Sequence, residues 1–469
     1  MTISPPFNIT KNQKDDRSLP VGGKHPDRFD CKEAWYPLFF VSDLDKGQPH
    51  PFTLMDEDLV IWWDENQEQW RVFADMCPHR LARLSTGRVN EDGLLECPYH
   101  GWTFSGEGDC EYIPQQLESS QANTSNRACV KSYPTSIVHD LLFVYGGKTE
   151  NASLTPLPII DPLTEDQDKW VVLKTFRDIP YDAITLLENV LDASHVSYTH
   201  HGTVGNRSNA APTELEVTSR SRQGFTGFWE EGPRKGTLGS QKTTFIAPNL
   251  MWHDLKSDKI GRTMTVVYAT PISKGKCRIF ALFPFQFASK IPAFFIKLTP
   301  RWFSHLNQNT ILEDDQIFLH YQERYLENLG GSDKFNRAFY LPTKADLFVS
   351  ELRRWFNKYD ADPFKGQDFP STPTHDVLLE RYHSHTEQCK SCSNALKNIK
   401  KTRSYLLIIT GILWSVMPIM SLVKQDLPVS LTWIISSLSI VNWFVYLFLG
   451  KLEKRFYEGV KTPSRNIKK

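Results

Sequence analysis

Residues 77–104 read CPHRLARLSTGRVNEDGLLECPYHGWTF. This stretch opens and closes with two short pairs of residues, Cys77-x-His79 and Cys97-x-x-His100. The residues between the two pairs contain a turn signal, NEDG, so each pair is expected in a loop of its own. Thiolate and imidazole donors at such close spacing indicate a metal centre.

The order of the donors within each pair distinguishes two kinds of metal centre. A zinc finger keeps like ligands together, with two cysteines in one pair and two histidines in the other. In this chain each pair combines one Cys with one His. A Rieske [2Fe–2S] cluster needs two thiolates on one iron and two imidazoles on the other, which two mixed loops can provide. The sequence therefore predicts a Rieske cluster on Cys77, His79, Cys97 and His100.

The sequence around these loops predicts a small antiparallel β domain over residues 33–150. Short apolar runs such as DLVIWW, QWRVFADM and LLFVYGG are separated by turn signals such as DENQ, NEDG and SGEGD. Residues 1–32 are polar, have no apolar segment of the secretory type and are not rich in arginine. We therefore expect a polar lead-in without a secretory signal or a plastid transit peptide.

The composition limits the classes of partner. A chain of 469 residues is long enough for two domains and an appendage. Lys plus Arg and Asp plus Glu both number 54, so no net charge favours nucleic acid as a partner. The eight cysteines are unevenly spaced and do not indicate a disulfide framework. They favour metal or redox chemistry in a reducing compartment.

Residues 165–360 mix strands and helices, after a linker rich in proline and acidic residues (TPLPIIDPLTEDQD). The segments ITLLENVLDASHVSYTH and ILEDDQIFLHYQERYLENL are predicted as helices. The segments KTTFIAPNLMWHDL, RTMTVVYATPI and CRIFALFPFQF are predicted as strands. This pattern predicts an α+β domain, in which helices gather at one side of a sheet.

A second metal centre is indicated by residues 188–201, ENVLDASHVSYTHH. Asp192 and His195 are predicted on one helix face, and His200 comes near them if the helix ends or bends there. Two histidines and one carboxylate on one face of an iron, with open positions for O₂, form the facial triad of non-haem Fe(II) oxygenases. Two histidines on a helix are more often surface residues, but the predicted cluster upstream favours the metal centre.

The motif CPHR…CPYHGWTF followed by NxxDxxHxxxxH resembles the Rieske non-haem iron oxygenases over residues 33–360. The resemblance implies a helix-grip-like catalytic domain in which His195 and His200 bind a mononuclear Fe(II). It also implies that Asp192 bridges this iron to the cluster ligand His100 of a neighbouring subunit. A homotrimer and an electron donor such as reduced ferredoxin follow from the same resemblance.

The third iron ligand is expected in the segment ILEDDQIFLHYQE, which offers Glu313, Asp314 and Asp315. The family has an acid followed seven residues later by Gln, and the resemblance places this pair at Asp315 and Gln322. Asp314 is the alternative ligand. The interpretation of all three acids as solvated surface charge also stays open at this point.

Two apolar segments predict a transmembrane helical hairpin over residues 404–450. Residues 405–423 and 427–450 carry no charge and are long enough to cross the hydrocarbon core, and only KQD connects them. Basic residues lie outside both ends, including the tail of residues 451–469, so the catalytic body and the C-terminus are expected on the cytoplasmic face. The alternative is a hairpin buried in a soluble core.

Residues 361–403 are predicted as an irregular polar linker that contains Cys389 and Cys392. A Cys-x-x-Cys before a C-terminal apolar hairpin is similar to the pheophorbide a oxygenase group. That group includes protochlorophyllide oxygenase-like proteins and a Rieske protein of the chloroplast inner-envelope translocon. The two cysteines are interpreted as a redox dithiol that thioredoxin could reduce, as half of a zinc site, or as unremarkable linker residues.

The resemblance implies O₂-dependent oxidation of a tetrapyrrole of the pheophorbide a, chlorophyllide or protochlorophyllide class. The expected lack of a transit peptide suits a cyanobacterial homologue, in a thylakoid or plasma membrane, or the stromal face if the protein is plastidic. The aromatic segment of residues 280–303 could line an apolar entrance that faces the membrane, or form ordinary core. Two other functions stay open: the same chemistry on a sterol, carotenoid or aromatic molecule, and a redox-sensing membrane subunit.

Overall fold

The structure is a computed structural model, and it describes residues 28–165, 169–258, 261–423 and 429–467. Most of the predicted lead-in of residues 1–32 and the predicted connection of residues 424–426 lie outside the described residues. The chain divides into two units. The first unit runs to Leu298 and includes Asp315–Thr372, and the second comprises Thr299–Asp314 and Pro373–Lys469.

The N-terminal part of the first unit is an antiparallel β domain, as predicted. Its strands are β1 (Trp35–Phe40), β2 (His50–Leu54), β3 (Glu57–Asp64), β4 (Gln69–Ala74), β5 (Arg88–Val89), β6 (Leu95–Glu96), β7 (Thr103–Phe104), β8 (Cys110–Tyr112), β9 (Ser132–Tyr133), β10 (Thr135–Val138) and β11 (Leu141–Tyr145). They form three sheets with the orders β1-β11-β10, β2-β3-β4-β9 and β5-β6-β7-β8.

The apolar residues of these strands account for the core of the β domain. In β4, Trp70 and Val72 lie on one face of the strand and Phe73 on the other, and all three are buried. One apolar cluster contains Trp62 together with Cys77 and Cys97. Both predicted cluster thiols therefore project from loops into the core.

The rest of the first unit is built around one seven-stranded antiparallel sheet with helices, which confirms the α+β prediction. The strands are β12 (Val171–Ile179), β13 (Leu215–Ser221), β14 (Gly224–Trp229), β15 (Gln241–Ile246), β16 (Leu250–Ser257), β17 (Gly261–Ser273) and β18 (Lys276–Phe287). Their order in the sheet is β12-β18-β17-β16-β15-β14-β13. The predicted single strand KTTFIAPNLMWHDL is a hairpin of β15 and β16, because Pro248 has no N–H for a central ladder.

The helices of the first unit are α1 (Asp161–Glu165), α2 (Ala183–Leu191), α3 (Val196–Thr199), α4 (Lys290–Leu298), α6 (Phe335–Ala338) and α7 (Leu347–Lys358). A long helix, α5 (Arg301–Asn328), contributes its first residues to the second unit and its residues from Asp315 onward to the first. Within the first unit α2 packs against β17 and α7, which fixes the helix that leads into the predicted iron site.

The predicted helix ITLLENVLDASHVSYTH is interrupted, and Asp192 lies at the end of α2. Asp192 is extended, with φ −77° and ψ 94°. Its carboxylate accepts hydrogen bonds from the backbone N–H and the hydroxyl of Ser194 at 2.8 and 2.7 Å. Such local bonds compete with helical hydrogen bonding. The prediction that Asp192 and His195 share one helix face is therefore wrong.

The second unit is helical. Its elements after α5 are α8 (His375–Leu378), a π-helical turn (Tyr382–Thr386), α9 (Lys390–Val423) and α10 (Val429–Lys454). The prediction of an irregular linker over residues 361–403 is wrong from Lys390 onward. The basic run KNIKKTR lies inside α9, because Lys and Arg are good helix formers. In addition, Cys392, Leu396 and Ile399 bury one face of α9 at helical spacing.

Helices α9 and α10 pack against each other. The side-chain amide of Asn442 donates to the carbonyl oxygen of Leu406 at 2.7 Å and to the hydroxyl of Thr410 at 2.5 Å. Among the described residues, one helix, Leu431–Lys454, is long and apolar enough to cross a membrane. The transmembrane hairpin of two segments therefore stays a prediction.

Candidate metal centres

Two loops of the β domain share one backbone pattern. In each loop the N–H of the fourth residue after the cysteine donates to the carbonyl oxygen of that cysteine. Leu81 donates to Cys77 at 2.9 Å, and Gly101 donates to Cys97 at 3.1 Å. Both donors have a left-handed φ, 61° for Leu81 and 71° for Gly101. The two Cys/His pairs are therefore held by matching turns.

The side chains of the four predicted cluster ligands separate by type. Cys77 and Cys97 are buried. The rings of His79 and His100 lie nearer the surface with their centroids 4.5 Å apart, and His79 stacks on Trp102 at 4.6 Å. Two thiols on one side and two imidazoles on the other match a cluster with cysteines on one iron and histidines on the second.

A second donor set lies in the α+β part of the first unit. His195, His200 and Asp315 each bring one donor atom within 4.8 Å of the others. The Nε2 atom of His200 is 3.2 Å from Oδ2 of Asp315, and the two imidazole centroids are 5.2 Å apart. His200 and Asp315 are buried and His195 is half-buried. The three predicted ligands of a mononuclear iron thus converge on one point.

Hydrogen bonds orient these donors. The Nδ1 atom of His195 lies 2.5 Å from the carbonyl oxygen of Asp192, which leaves Nε2 available to a metal. The side-chain amide of Asn189 on α2 donates to Oδ1 of Asp315 at 3.4 Å, so the other carboxylate oxygen is the one beside His200. An imidazole whose second nitrogen donates to a carbonyl is held in the tautomer that binds metal.

The three acids of the segment ILEDDQ are buried rather than solvated. Within the second unit Glu313 pairs with Arg381 at 2.6 Å, and Asp314 lies 3.7 Å from Arg465. Within the first unit Asp315 is the acid beside the histidines. Neighbouring residues of an α-helix point in different directions, since a turn contains 3.6 residues. The geometry therefore favours Asp315 over Asp314.

Gln322, the predicted companion of Asp315, connects two helices of the first unit. Its side-chain amide donates to Oε1 of Glu188 on α2 at 2.9 Å. Glu188 also forms an ion pair with Arg353 on α7. Gln322 therefore positions α5 against the helix that carries Asn189.

The sequence pattern did not predict a role for His253 on β16. Burial lowers the pKa of His253 to about 4, so the ring is neutral at neutral pH. Its Nε2 atom is 2.9 Å from the carbonyl oxygen of Val190, and its Nδ1 atom is 2.8 Å from the hydroxyl of Thr243. These contacts hold the last turn of α2, from which Asp192 and His195 follow. The only sign of this role in the sequence was a single histidine within the apolar run NLMWHDL.

A cavity in the first unit is separate from this donor set. Its lining includes Asp182, Thr185 and Glu323, and none of the three converging donors. Glu323 accepts hydrogen bonds from the N–H of Asp182 at 2.8 Å and the hydroxyl of Thr185 at 3.0 Å. Burial raises the pKa of Glu323 to about 8. Glu323 therefore holds the start of α2 with a carboxyl group that is largely protonated at neutral pH.

The predicted dithiol lies at the start of α9. Cys389 and Cys392 are both buried. Two histidines to which the sequence pattern assigned no role, His305 of α5 and His385 of the π-helical turn, place donor atoms beside the two sulfur atoms. The interpretation of the cysteines as a redox dithiol stays a prediction.

Comparisons with known proteins agree with the first two centres. Residues 34–134 match the Rieske [2Fe-2S] domain, and residues 245–333 match the pheophorbide a oxygenase family. Pheophorbide a oxygenase of Arabidopsis thaliana is 32% identical over 91% of this chain and 83% of its own length. This chain belongs to the pheophorbide a oxygenase family. It is therefore a Rieske non-haem iron oxygenase.

Other relatives of this Rieske oxygenase have different names. The protochlorophyllide-dependent translocon component 52 of Arabidopsis thaliana is 35% identical over 79% of this chain and 74% of its own length. Flavonoid 8-hydroxylase 2 of Ocimum basilicum is 33% identical over 80% of this chain and 76% of its own length. The crystal structure of dicamba monooxygenase bound to dicamba aligns with a TM-score of 0.57 at 19% identity, over 71% of this chain and 98% of that one. That structure shows the shared fold.

The Rieske oxygenase holds a [2Fe–2S] cluster and a mononuclear iron, and its residues fit both groups. Two buried thiols with two imidazoles suit the cluster. Two imidazoles with one carboxylate suit a non-haem iron with open positions. When bound, the cluster supplies electrons and the mononuclear iron supplies the activation of O₂.

Proposed function

We propose that this Rieske oxygenase oxidises a chlorophyll-derived tetrapyrrole, using O₂ and electrons from reduced ferredoxin or a similar donor. The convergence of His195, His200 and Asp315 carries this proposal. A protein that only carried electrons would need the cluster and no second set of iron donors. The pheophorbide a oxygenase relative, which matches over most of both chains, supports a pigment of this class as the substrate.

The proposal assigns each ligand a place. Cys77 and Cys97 bind one iron of the cluster, and His79 and His100 bind the other. The mononuclear iron is bound by a second set of residues, which consists of His195, His200 and Asp315.

Electrons pass between subunits in this proposal. Asp192 is half-buried, and its carbonyl oxygen contacts Nδ1 of His195. Asp192 is therefore hydrogen-bonded to a proposed iron ligand. The cluster ligand His100 would contact the partner subunit's Asp192 in a ring-shaped homotrimer, as the family resemblance implies. Replacing Asp192 with Asn is expected to slow oxidation of the reduced cluster while the iron content is unchanged. An Asp192→Asn variant that reoxidises at the wild-type rate would contradict this path.

Membrane attachment suits an apolar pigment substrate. The apolar residues Ile291, Phe294, Phe295 and Leu298 of α4 are all exposed, between 60% and 67%. Their spacing places them on one helix face, which is typical of a helix that lies on a membrane surface. We therefore assign α4 to the apolar entrance predicted for residues 280–303 and the C-terminal helices to the anchor. The proposed location is a thylakoid or plasma membrane of a cyanobacterium, or the stromal face in a plastid.

Two alternatives have support of their own. The flavonoid 8-hydroxylase relative favours the same chemistry on an aromatic molecule. The relative named as a translocon component favours a redox-sensing membrane subunit, in which thioredoxin would reduce Cys389 and Cys392. The second donor set argues against a function without oxygenase activity.

The test is product analysis under ¹⁸O₂. The purified enzyme, with reduced ferredoxin, is incubated with pheophorbide a, chlorophyllide a, protochlorophyllide and a panel of flavones. We expect an ¹⁸O-labelled tetrapyrrole from the wild type and none from His195→Ala, which keeps the cluster spectrum. A labelled flavone without a labelled tetrapyrrole would support the aromatic alternative. A wild type with about two irons per chain, and no loss in His195→Ala, would exclude every oxygenase function.

A further inference from the structure

Four buried metal-donor side chains meet in the second unit. His305 lies on α5, His385 lies in the π-helical turn, and Cys389 and Cys392 lie at the start of α9. Their exposed fractions are 0%, 0%, 0% and 1%. One donor atom of each lies within 4.8 Å of the other three. This set uses none of the residues assigned to the cluster or to the mononuclear iron.

The contacts centre on one nitrogen atom. The Nδ1 atom of His305 is 3.4 Å from Sγ of Cys389, 3.5 Å from Sγ of Cys392 and 3.0 Å from Nε2 of His385. The same Nε2 atom of His385 is 3.4 Å from Sγ of Cys392. A ring nitrogen offers either one proton or one lone pair. Hydrogen bonding therefore accounts for one contact of His305 Nδ1 and leaves the other two unexplained.

We propose that His305, His385, Cys389 and Cys392 bind a structural zinc ion. In a tetrahedral zinc site with Zn–S near 2.3 Å and Zn–N near 2.0 Å, a sulfur and a nitrogen ligand lie about 3.5 Å apart. The three sulfur–nitrogen distances, 3.4, 3.5 and 3.4 Å, match that value. Four protein donors leave no open position, which is typical of structural rather than catalytic zinc.

The same distances argue against a second Rieske-type cluster. Two cysteines and two histidines also form that donor set. In such a cluster the thiolates bind one iron and the imidazoles bind the other, so two irons and their bridging sulfides separate sulfur from nitrogen. Here the sulfur atoms contact the ring nitrogens directly. The site is the size of a single ion.

The local backbone presents the donors to one point. The π-helical turn Tyr382–Thr386 carries His385, and such turns are frequent at functional sites. The N–H of Cys389 donates to the carbonyl oxygen of His385 at 3.0 Å, and the N–H of Ser393 donates to that of Cys389 at 2.9 Å. The chain therefore winds from His385 into α9 without a break, with both cysteines on the side of His385.

A buried ion pair joins the same parts of the second unit. Glu313 lies on the same helix as His305. Two nitrogen atoms of Arg381 each lie 2.6 Å from the Glu313 carboxylate. Glu313 also accepts from the N–H of Val460 at 2.9 Å, and Arg381 donates to the carbonyl oxygen of Arg455 at 2.9 Å. The zinc ion would fix the start of α5 to the π-helical turn and α9, where this pair already holds the chain after α10.

The proposed zinc site changes the interpretation of the Cys-x-x-Cys. Thiolates that bind zinc are not available to form the disulfide that thioredoxin would reduce. The binding energy of a structural zinc ion is also folding energy. Cys389 and Cys392 would therefore stabilise the second unit rather than switch the enzyme.

The test is the metal content and zinc-edge X-ray absorption of the full-length enzyme, produced with iron and zinc in the medium. We expect about one zinc per chain with two sulfur and two nitrogen ligands, in addition to the iron. Cys392→Ser is expected to lose most of the zinc and keep the Rieske spectrum. The matched control Cys129→Ser, at a cysteine outside the set, is expected to keep zinc and iron.

Three results would overturn the proposal. One is a wild type without zinc, and another is zinc whose spectrum shows no sulfur ligands. The third is a Cys389–Cys392 disulfide that thioredoxin reduces in the wild type. Because the wild-type spectrum needs no variant, a misfolded Cys392→Ser protein leaves the test intact. A loss of tetrapyrrole oxidation without a change in zinc would concern the proposed function alone.

Discussion

Nε2 of His200 lies 3.2 Å from Oδ2 of Asp315, and this contact joins the end of the short helix α3 to the middle of the long helix α5. Both residues are buried, and His195 completes the set. The two imidazoles and the carboxylate come from two chain segments that are distant in sequence. Their meeting point is therefore a property of the tertiary structure, and it leads directly to the first prediction.

Asp315→Asn is expected to lose the mononuclear iron and retain the cluster, because a neutral amide is a far weaker iron ligand than a carboxylate. Iron should fall from about three to about two per chain, with the Rieske absorption spectrum unchanged. The matched variant is Asp314→Asn, since Asp314 lies beside Arg465. It should keep all of the iron. Loss of iron from Asp314→Asn alone would make Asp314 the ligand.

Gly101→Ala is expected to destabilise the cluster loop by about 1–2 kcal/mol, because an alanine at φ 71° is strained. A Cβ at this position would also lie 3.1 Å from the ring of Pro114. Leu81→Ala is the control, since exposed Leu81 already carries a Cβ at φ 61° in the matching loop. It should change stability by less than about 0.5 kcal/mol. Thermal bleaching of the Rieske spectrum measures both, and equal midpoints would contradict the argument.

Glu323→Gln is expected to flatten the dependence of stability on pH. The pKa of Glu323 is raised from 4.5 to about 8 by burial. The folded state therefore binds this proton more tightly than the unfolded state. This contribution of Glu323 to the stability of the fold is complete below pH 4.5 and is lost as the pH rises through 8. The wild type should therefore become less stable between these two pH values.

The Gln variant cannot ionise. Its free energy of unfolding should therefore exceed that of the wild type by on the order of 2 kcal/mol or more at pH 8.5. The advantage should disappear at pH 5. Midpoints of thermal unfolding at the two pH values measure the difference. The control is Glu327→Gln on the exposed surface of α5, which should follow the wild-type curve. A Glu323→Gln curve parallel to the wild type would show that the carboxyl ionises normally.

Val441→Arg is expected to weaken membrane insertion of α10. Val441 lies in the apolar helix Leu431–Lys454 and is 61% exposed. An arginine near the centre of a transmembrane helix costs about 2.5–3.5 kcal/mol on insertion scales. Val377→Arg makes the same change at an equally exposed valine of α8. Flotation of the expressed enzyme on lipid vesicles should fall for Val441→Arg only, and equal flotation of the two variants would contradict the anchor.

Local patterns predicted much of the β domain and of the α+β sheet, because strand alternation and turn residues act over a few positions. The predictions failed where side chains interfered with a helix or supported one. The carboxylate of Asp192 bonds to Ser194 and ends α2, which the periodicity of the segment conceals. Conversely, the polar run before residue 403 is helical because Cys392, Leu396 and Ile399 on one face of the helix are buried in the protein core.

The sequence by itself determined the Cys/His loops and the residue types of a second iron centre, because each loop holds its own donors within a few residues. Only the tertiary structure decided which acid joins His200. The phase of α5 places Asp315 beside the histidine, whereas Asp314 lies near Arg465. The tertiary structure alone brought His305 to Cys389 and Cys392, since donors on separate segments meet only when the helices pack. Spacing specifies a site made within one loop, and packing specifies a site made between segments.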